Sequence, residues 1–328
     1  MPSHVQRQTG TLQAPAWLVW LALWVVYLVW GSTYLAIRVA VRTLPPLLSG
    51  GARFLVAGAV MYAVLRSRRG PGHMAITPRQ LASSAVIGAA LIFGGNGLVT
   101  IAEQSVPSGL TALIIASVPL WVVVLRMLTG DRVDRGTLAG VLLGFAGVSL
   151  LVIPSGEAGG AVASGSLLIV VASLSWASGS FASRRLDLPA DPFVSTTYQM
   201  LCGGLVLTLG GLLRGEAAGL DPSSFAPTSV IALGYLIVFG SLAAFTAYTW
   251  LLQNAPISKV ATYAYVNPVV AVVLGWAILS EEITSAIVLG AILIVSSVAF
   301  TVRRESDAER GAVEEPPPAA AAVEAERA

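Results

Sequence analysis

Trp30–Val41 reads WGSTYLAIRVAV and Trp176–Arg185 reads WASGSFASRR. The first closes a run that is apolar from Trp17 onward, then turns polar and aromatic. The second is a weaker copy 146 residues later, with Trp30 aligned to Trp176, Ser32 to Ser178 and Arg38 to Arg184. At the same spacing Pro46 meets Pro192, Gly58 meets Gly204, Phe93-Gly94 meets Phe239-Gly240 and Thr100 meets Thr246. A slip of three residues then aligns Pro107 with Pro256 and Pro119 with Pro268. Leu, Ala and Gly coincide by chance in apolar helices, so the Trp and Pro pairs carry the argument. The chain is organised as two copies of one unit.

Only 11% of the 328 residues are charged and 55% are hydrophobic, where a soluble domain has about 25% charged residues. The composition therefore reads as an all-α polytopic membrane protein in a lipid bilayer. Ten spans are expected, near 17–38, 46–66, 81–103, 107–128, 136–154, 165–185, 192–213, 228–252, 256–280 and 283–302. Each is close to the roughly 20 apolar residues that cross a bilayer. The first is too long for a signal-peptide core and lacks a small-residue cleavage site. Pro46, Pro107, Pro192 and Pro256 fall at helix starts, where a missing N–H costs nothing.

The chain divides into an N-terminal tail at 1–16, a first repeat at 17–154, a second at 155–302 and a tail at 303–328. The last ends in EEPPPAAAAVEAERA, too poor in apolar residues to bury a core, so disorder is expected there. With the N-terminus in the cytoplasm, the inner loops hold Arg66, Arg68, Arg69, Arg79, Arg126, Arg132, Arg135, Arg184, Arg185, Lys259, Arg303 and Arg304. The outer side keeps Arg38, Arg42 and Arg214. That asymmetry places both termini in the cytoplasm. Five spans per copy is an odd number, so the second five-helix repeat is inverted relative to the first, an architecture common among secondary transporters.

A single cysteine, Cys202, and two histidines, His4 and His73, leave no basis for a disulfide framework, a metal site or a histidine-based catalytic site. No cofactor, catalytic residue or nucleic-acid partner is expected. No phosphate-cradling Gly-rich loop with Lys is present, which argues against direct use of ATP.

WGSTYLAIR, the Arg53-Phe54 pair, GGNGLVTIAEQSVPSGLTALIIASVPLWVVVL and YVNPVVAVVLGWAILSEE resemble the EamA-type branch of the drug/metabolite transporter superfamily. The resemblance covers residues 17–302. It implies two inverted five-helix repeats, with helices one to four and six to nine around a central cavity and helices five and ten peripheral. It also implies export of amino acids, related metabolites or drugs across the cytoplasmic (inner) membrane. Direction of flux is inherited from the resemblance; an importer or a non-transporting receptor or scaffold are the alternatives. An intramembrane enzyme fits poorly, because paired carboxylates or a nucleophile beside a base are missing from the spans.

A transporter needs polar and aromatic groups at mid-membrane that are shielded from lipid. The substrate-binding candidates are Trp30, Thr33, Tyr34, Asn96, Thr100, Trp176, Thr246, Tyr263 and Asn267. Asn96, Thr100 and Glu103 share one helical face at i, i+4, i+7. The competing reading is that Ser and Thr hydroxyls bond back to their own helix. Pro119 and Pro268 lie inside spans and free the carbonyls of Ile115 and Ala264, so each is a hinge or a static kink. Arg53, the basic residue deep in a span, meets an anionic substrate group, pairs with Glu103 or snorkels. Glu103 is the candidate for proton coupling. Glu281 and Glu282 belong to an outer loop with no transport role assigned. Gly136, Gly140 and Gly144 permit close helix contact, within a monomer or between protomers of a homodimer.

Overall fold

The computed structural model describes residues 15–131, 133–152 and 159–314. Among them are ten long helices: α1 (Ala16–Ala40), α2 (Pro46–Arg69), α3 (Pro78–Ala102), α4 (Ser108–Leu128), α5 (Arg135–Val152), α6 (Gly159–Ser183), α7 (Pro192–Leu213), α8 (Pro227–Asn254), α9 (Tyr263–Leu279) and α10 (Ser285–Glu314). The described residues contain no strand. Nine of the helices are long and apolar enough to cross a membrane. The remaining one, α9, is shorter than the expected span because a separate turn, Ile257–Val260, precedes it. Arg132, both chain ends and the linker at 153–158 lie outside the described residues.

Local chemistry sets the helix starts. Proline occupies the first turn of α2, α3, α7 and α8, where its absent N–H is not missed. Thr77 and Gln80 close a reciprocal capping box on α3, each bond 3.1 Å. Gly70 ends α2 at φ 86°, a conformation costly for any residue with a Cβ. The last helix continues to Glu314, past the expected start of a disordered tail at 303. Glu, Ala and Arg in ESDAERGAVE are good helix formers extending an existing helix, and the prolines from Pro316 onward are not.

One end of the bundle is basic. There Arg69 pairs with Asp191, Arg126 with Asp131 and Arg304 with Asp134. Lys259 lies over the Trp20 ring near the start of α1, so α1 begins at this end. Ser105 bonds the carbonyl of Ala161, so α6 begins at the opposite, far end. The two repeats are therefore antiparallel. Their contacts match in pairs: α1 packs on α8 and α9 as α6 packs on α3 and α4. The equivalent helices α2 and α7 pack on each other, as do α5 and α10.

Glycine permits these crossings. A Cβ on Gly51 would strike Thr208 and the Gly204 carbonyl, and one on Gly204 would strike the Leu55 amide. The glycines of α5 are covered mainly by α10: Gly136 by Arg304, Gly140 by Thr301 and Phe300, and Gly144 by Ser297 together with Leu120 of α4. The α5 stripe thus packs within the monomer. The outer surface carries large apolar side chains such as Leu142, Leu205 and Ile231, suited to lipid rather than water. Cys202 is half-buried on α7 and is no core residue.

Asp191 ties α7 to α2 at the basic end. It caps α7 by accepting from the amides of Phe193 (2.8 Å) and Val194 (3.4 Å), and it binds His73 (2.8 Å) and Arg69. Partial burial would raise its pKa; the Phe193 amide, His73, the Val194 amide and Arg69 outweigh this and hold it below the usual range. A depressed carboxylate contributes stability above its unfolded pKa, about 3.9, that is lost as pH falls through the folded value. Asp191→Ala is expected to cost about 1 kcal/mol at neutral pH. Thermal unfolding in detergent should show a Tm gap from the parent that narrows as pH drops below about 4; a gap constant with pH contradicts this account.

Candidate functional site

A cavity of about 130 Å³ lies where the two repeats meet. Its wall is made by Trp30, Thr33, Tyr34 and Ile37 of α1, Arg53 of α2, Gly95, Asn96 and Val99 of α3, and Ala112, Ile115, Ala116, Val118 and Pro119 of α4. Trp176 of α6, Phe245 of α8 and Tyr263, Ala264, Asn267 and Pro268 of α9 complete it. Among the described residues α5, α7 and α10 contribute nothing to this wall. Seven of the nine substrate-binding candidates meet here, with Arg53 and both prolines.

The aromatic side chains are fixed from behind. Trp30 donates its indole N–H to the Gly240 carbonyl at 3.2 Å. Its ring packs against Phe245, Tyr248 and Tyr263 at centroid distances of 5.1, 5.0 and 5.4 Å, within the range of favourable aromatic pairs. Trp176 lies over Gly95, where a Cβ would come within 2.6 Å of the ring. The hydroxyls are largely committed elsewhere: Thr33 donates to the Trp30 carbonyl (2.6 Å) and Thr100 to the Asn96 carbonyl (2.7 Å). Asn96 donates to the Leu91 carbonyl at 3.3 Å. Ser173 receives the Trp121 indole N–H at 3.0 Å.

Two candidates fall outside the wall. Thr100 is buried beside Arg53, Ser49 and Phe54 in a small adjoining space. Thr246 is exposed on the outer surface of α8, so its expected place in the cavity is corrected. The cause is a π-helical stretch at Leu236–Ala243, matched in α3 by one at Ala89–Gly97. A π turn holds more residues than an α turn and rotates everything after it. Phe245 faces the cavity in place of Thr246. No periodicity in the sequence marks such a turn, although the glycines at 94, 95 and 97 ease one.

Arg53 is 5% exposed and donates from Nε to Ser241 Oγ at 2.8 Å, with its guanidinium 4.7 Å from the Phe54 ring. It does not snorkel, and it makes no ion pair with Glu103. Glu103 is fully enclosed and neither carboxylate oxygen has a hydrogen-bond partner. The charges acting on it are Arg38, Glu281 and Arg53. Arg38 bonds the Glu103 backbone carbonyl.

The two proline helices differ: α4 is interrupted, whereas α9 runs unbroken through Pro268. In α4 the break falls at Ala116–Ser117, and α9 is severed from its preceding turn at Ala261–Thr262. Ile115 and Ala264, whose carbonyls lose the proline N–H, both line the cavity. The cavity's floor at Pro119, Trp176, Tyr263 and Ala264 is shared with a second recess that reaches Arg126 and Arg184 at the basic end. The far end is tied. Glu216 accepts from the amides of Leu47 and Leu48, both at 3.0 Å, capping α2. Glu281 accepts from the Ser108 amide (2.7 Å), the Ser108 hydroxyl (2.9 Å) and the Gly109 amide (3.0 Å), capping α4. Glu281 lies in the loop between α9 and α10, as expected; its capping role is not visible in the sequence because the helix start it caps is far away in the chain. No group of three or more His, Cys, Asp or Glu comes together among the described residues.

The chain is 39% identical over 267 residues to the uncharacterized inner membrane transporter YedA of Escherichia coli (strain K12), covering 80% of this chain and 83% of that one. It is 28% identical to a probable amino-acid metabolite efflux pump of Salmonella typhimurium, over 87% of this chain and 96% of that one. A solved crystal structure shares the fold with a TM-score of 0.60 at 21% identity, covering 86% of this chain and 96% of that one. The family model of EamA-like transporters matches residues 17–153 and again 163–303, the two copies that the Trp and Pro pairs mark. With one match on each repeat and a shared cavity between them, this chain belongs to the EamA-like transporter family.

Proposed function

We propose that this protein is a secondary active exporter of small metabolites that works by alternating access in the inner membrane. The observation that carries the reading is the aromatic cavity between the repeats, which shares Pro119, Trp176, Tyr263 and Ala264 with a recess toward the basic end, while side-chain caps tie the helices at the other. The Lys and Arg distribution puts the basic end and both termini in the cytoplasm, so the described state faces inward. Export is in keeping with the efflux-pump name of the Salmonella relative.

Opening the far end requires releasing the Glu216 and Glu281 caps and the Arg38 contact with Glu103. Pro119 and Pro268 supply the hinges: they stand at equivalent positions, Pro119 just after the break in α4 and Pro268 within the first half of α9, and each removes one helix hydrogen bond. Glu103 is the proton-coupling group. A buried carboxylate without hydrogen bonds is costly when charged, and the same motion that parts Arg38 from Glu103 exposes it to the outer solution.

In proteoliposomes, Trp30→Ala and Trp176→Ala should each cut substrate flux by about tenfold, the scale of one aromatic contact of about 1.5 kcal/mol, with unchanged yield. A parallel loss of flux and folded protein would point to a packing role instead. Glu103→Gln should give flux that no longer responds to a pH gradient; an unchanged response removes Glu103 from coupling.

A further inference from the structure

The two repeats share their walls and hinges but not their polar groups. Trp30 and Trp176 correspond, as do Pro119 and Pro268, and all four line the cavity. Arg53 corresponds to Gln199, and Asn267 to Val118. Ser241, which holds Arg53, corresponds to Gly95. The cavity therefore has polar points that its own pseudo-symmetry does not demand. An arrangement needed only to build the fold would recur in both halves, whereas one that orients an asymmetric guest need not.

Both points are short of partners. Arg53 spends Nε on Ser241 and has no carboxylate within ion-pair range among the described residues. An unpaired cation within a membrane span is unfavourable, so an anion arriving in the cavity relieves it. Asn267 is 7% exposed, lines the same cavity, and its Oδ1 has no hydrogen-bond partner. A side-chain carbonyl in that state calls for an N–H donor. The same cavity is lined by Trp30, Tyr34, Trp176, Phe245 and Tyr263, whose rings suit an apolar body.

We infer that the cavity selects a small molecule with a carboxylate at one end, held by Arg53, and an N–H donor, held by Asn267, around an apolar side chain. This rests on the transport reading and narrows it: apolar amino-acid-like zwitterions are taken and lipophilic cations are refused. Arg53 is the specificity-determining residue, because its planar fork matches a carboxylate.

The test uses the full chain purified in detergent and reads ligand-induced Tm shifts. The probes are L-leucine, L-phenylalanine and L-methionine, each beside its decarboxylated amine and its methyl ester, with 4-methylpentanoate as a carboxylate lacking nitrogen. At least one amino acid should stabilise the protein while its amine and ester do not. Arg53→Gln, which installs the residue of the other repeat, should weaken binding about tenfold to hundredfold, the scale for hydrogen bonds to a charged group. Asn267→Leu should weaken the amino acid but leave 4-methylpentanoate unchanged. If Arg53→Gln does not fold, Arg53→Lys keeps the charge without the fork and should bind more weakly with the same preference. The proposal is overturned if amines or esters stabilise as well as acids, if acid binding survives Arg53→Gln, or if no probe binds. Selective binding without flux in proteoliposomes would instead sink the transport reading alone, and flux of a cationic dye without carboxylate preference would sink only the selectivity.

Discussion

The crossing of α2 on α7 sets the distance between the two repeats. Gly51 and Gly204 bring backbones together where any side chain would collide, and in lipid such close van der Waals packing, rather than expulsion of water, holds helices together. A second contact of this kind joins α5 to α10, away from the cavity. With these two equivalent pairs fixed, the remaining six helices pack around a central space whose wall Arg53 of α2 completes. Aromatic side chains partly fill it and leave a space for a small guest.

Much of this architecture was legible in the sequence because it depends on coarse properties. Span length follows from bilayer thickness, and inversion follows from an odd number of spans in each copy. Trp30, Trp176, Tyr263 and Asn267 could be placed because each lies in a helix whose phase is simple near the cavity. Thr246 could not. The π stretch upstream of it changes the helical phase, and that stretch arises from hydrogen-bond choices made in the packed bundle. Glu216 and Glu281 were hidden for another reason. Helix caps are ordinarily read from the residues flanking a helix, yet these two reach helix starts far away in the chain.

The polar groups in and beside the cavity also divide in a way that the alphabet alone does not reveal. Thr33 and Thr100 satisfy themselves on their own helices, so their hydroxyls add little chemistry to the space. Arg53, Asn267 and Glu103 keep unspent capacity. Burial without a partner separates the groups that serve the scaffold from those available for a ligand or a proton.

The π stretches at Ala89–Gly97 and Leu236–Ala243 occupy corresponding places in the two halves. A widened turn gained separately in each copy would have to arise twice at the same depth. Inheritance from a single five-helix precursor accounts for both at once. On that account the irregular turn is older than the duplication, whereas the Arg53–Ser241 contact joins the two halves and its counterpart would pair Gln199 with Gly95: it records what happened after duplication, when two halves built alike became unlike at the cavity wall.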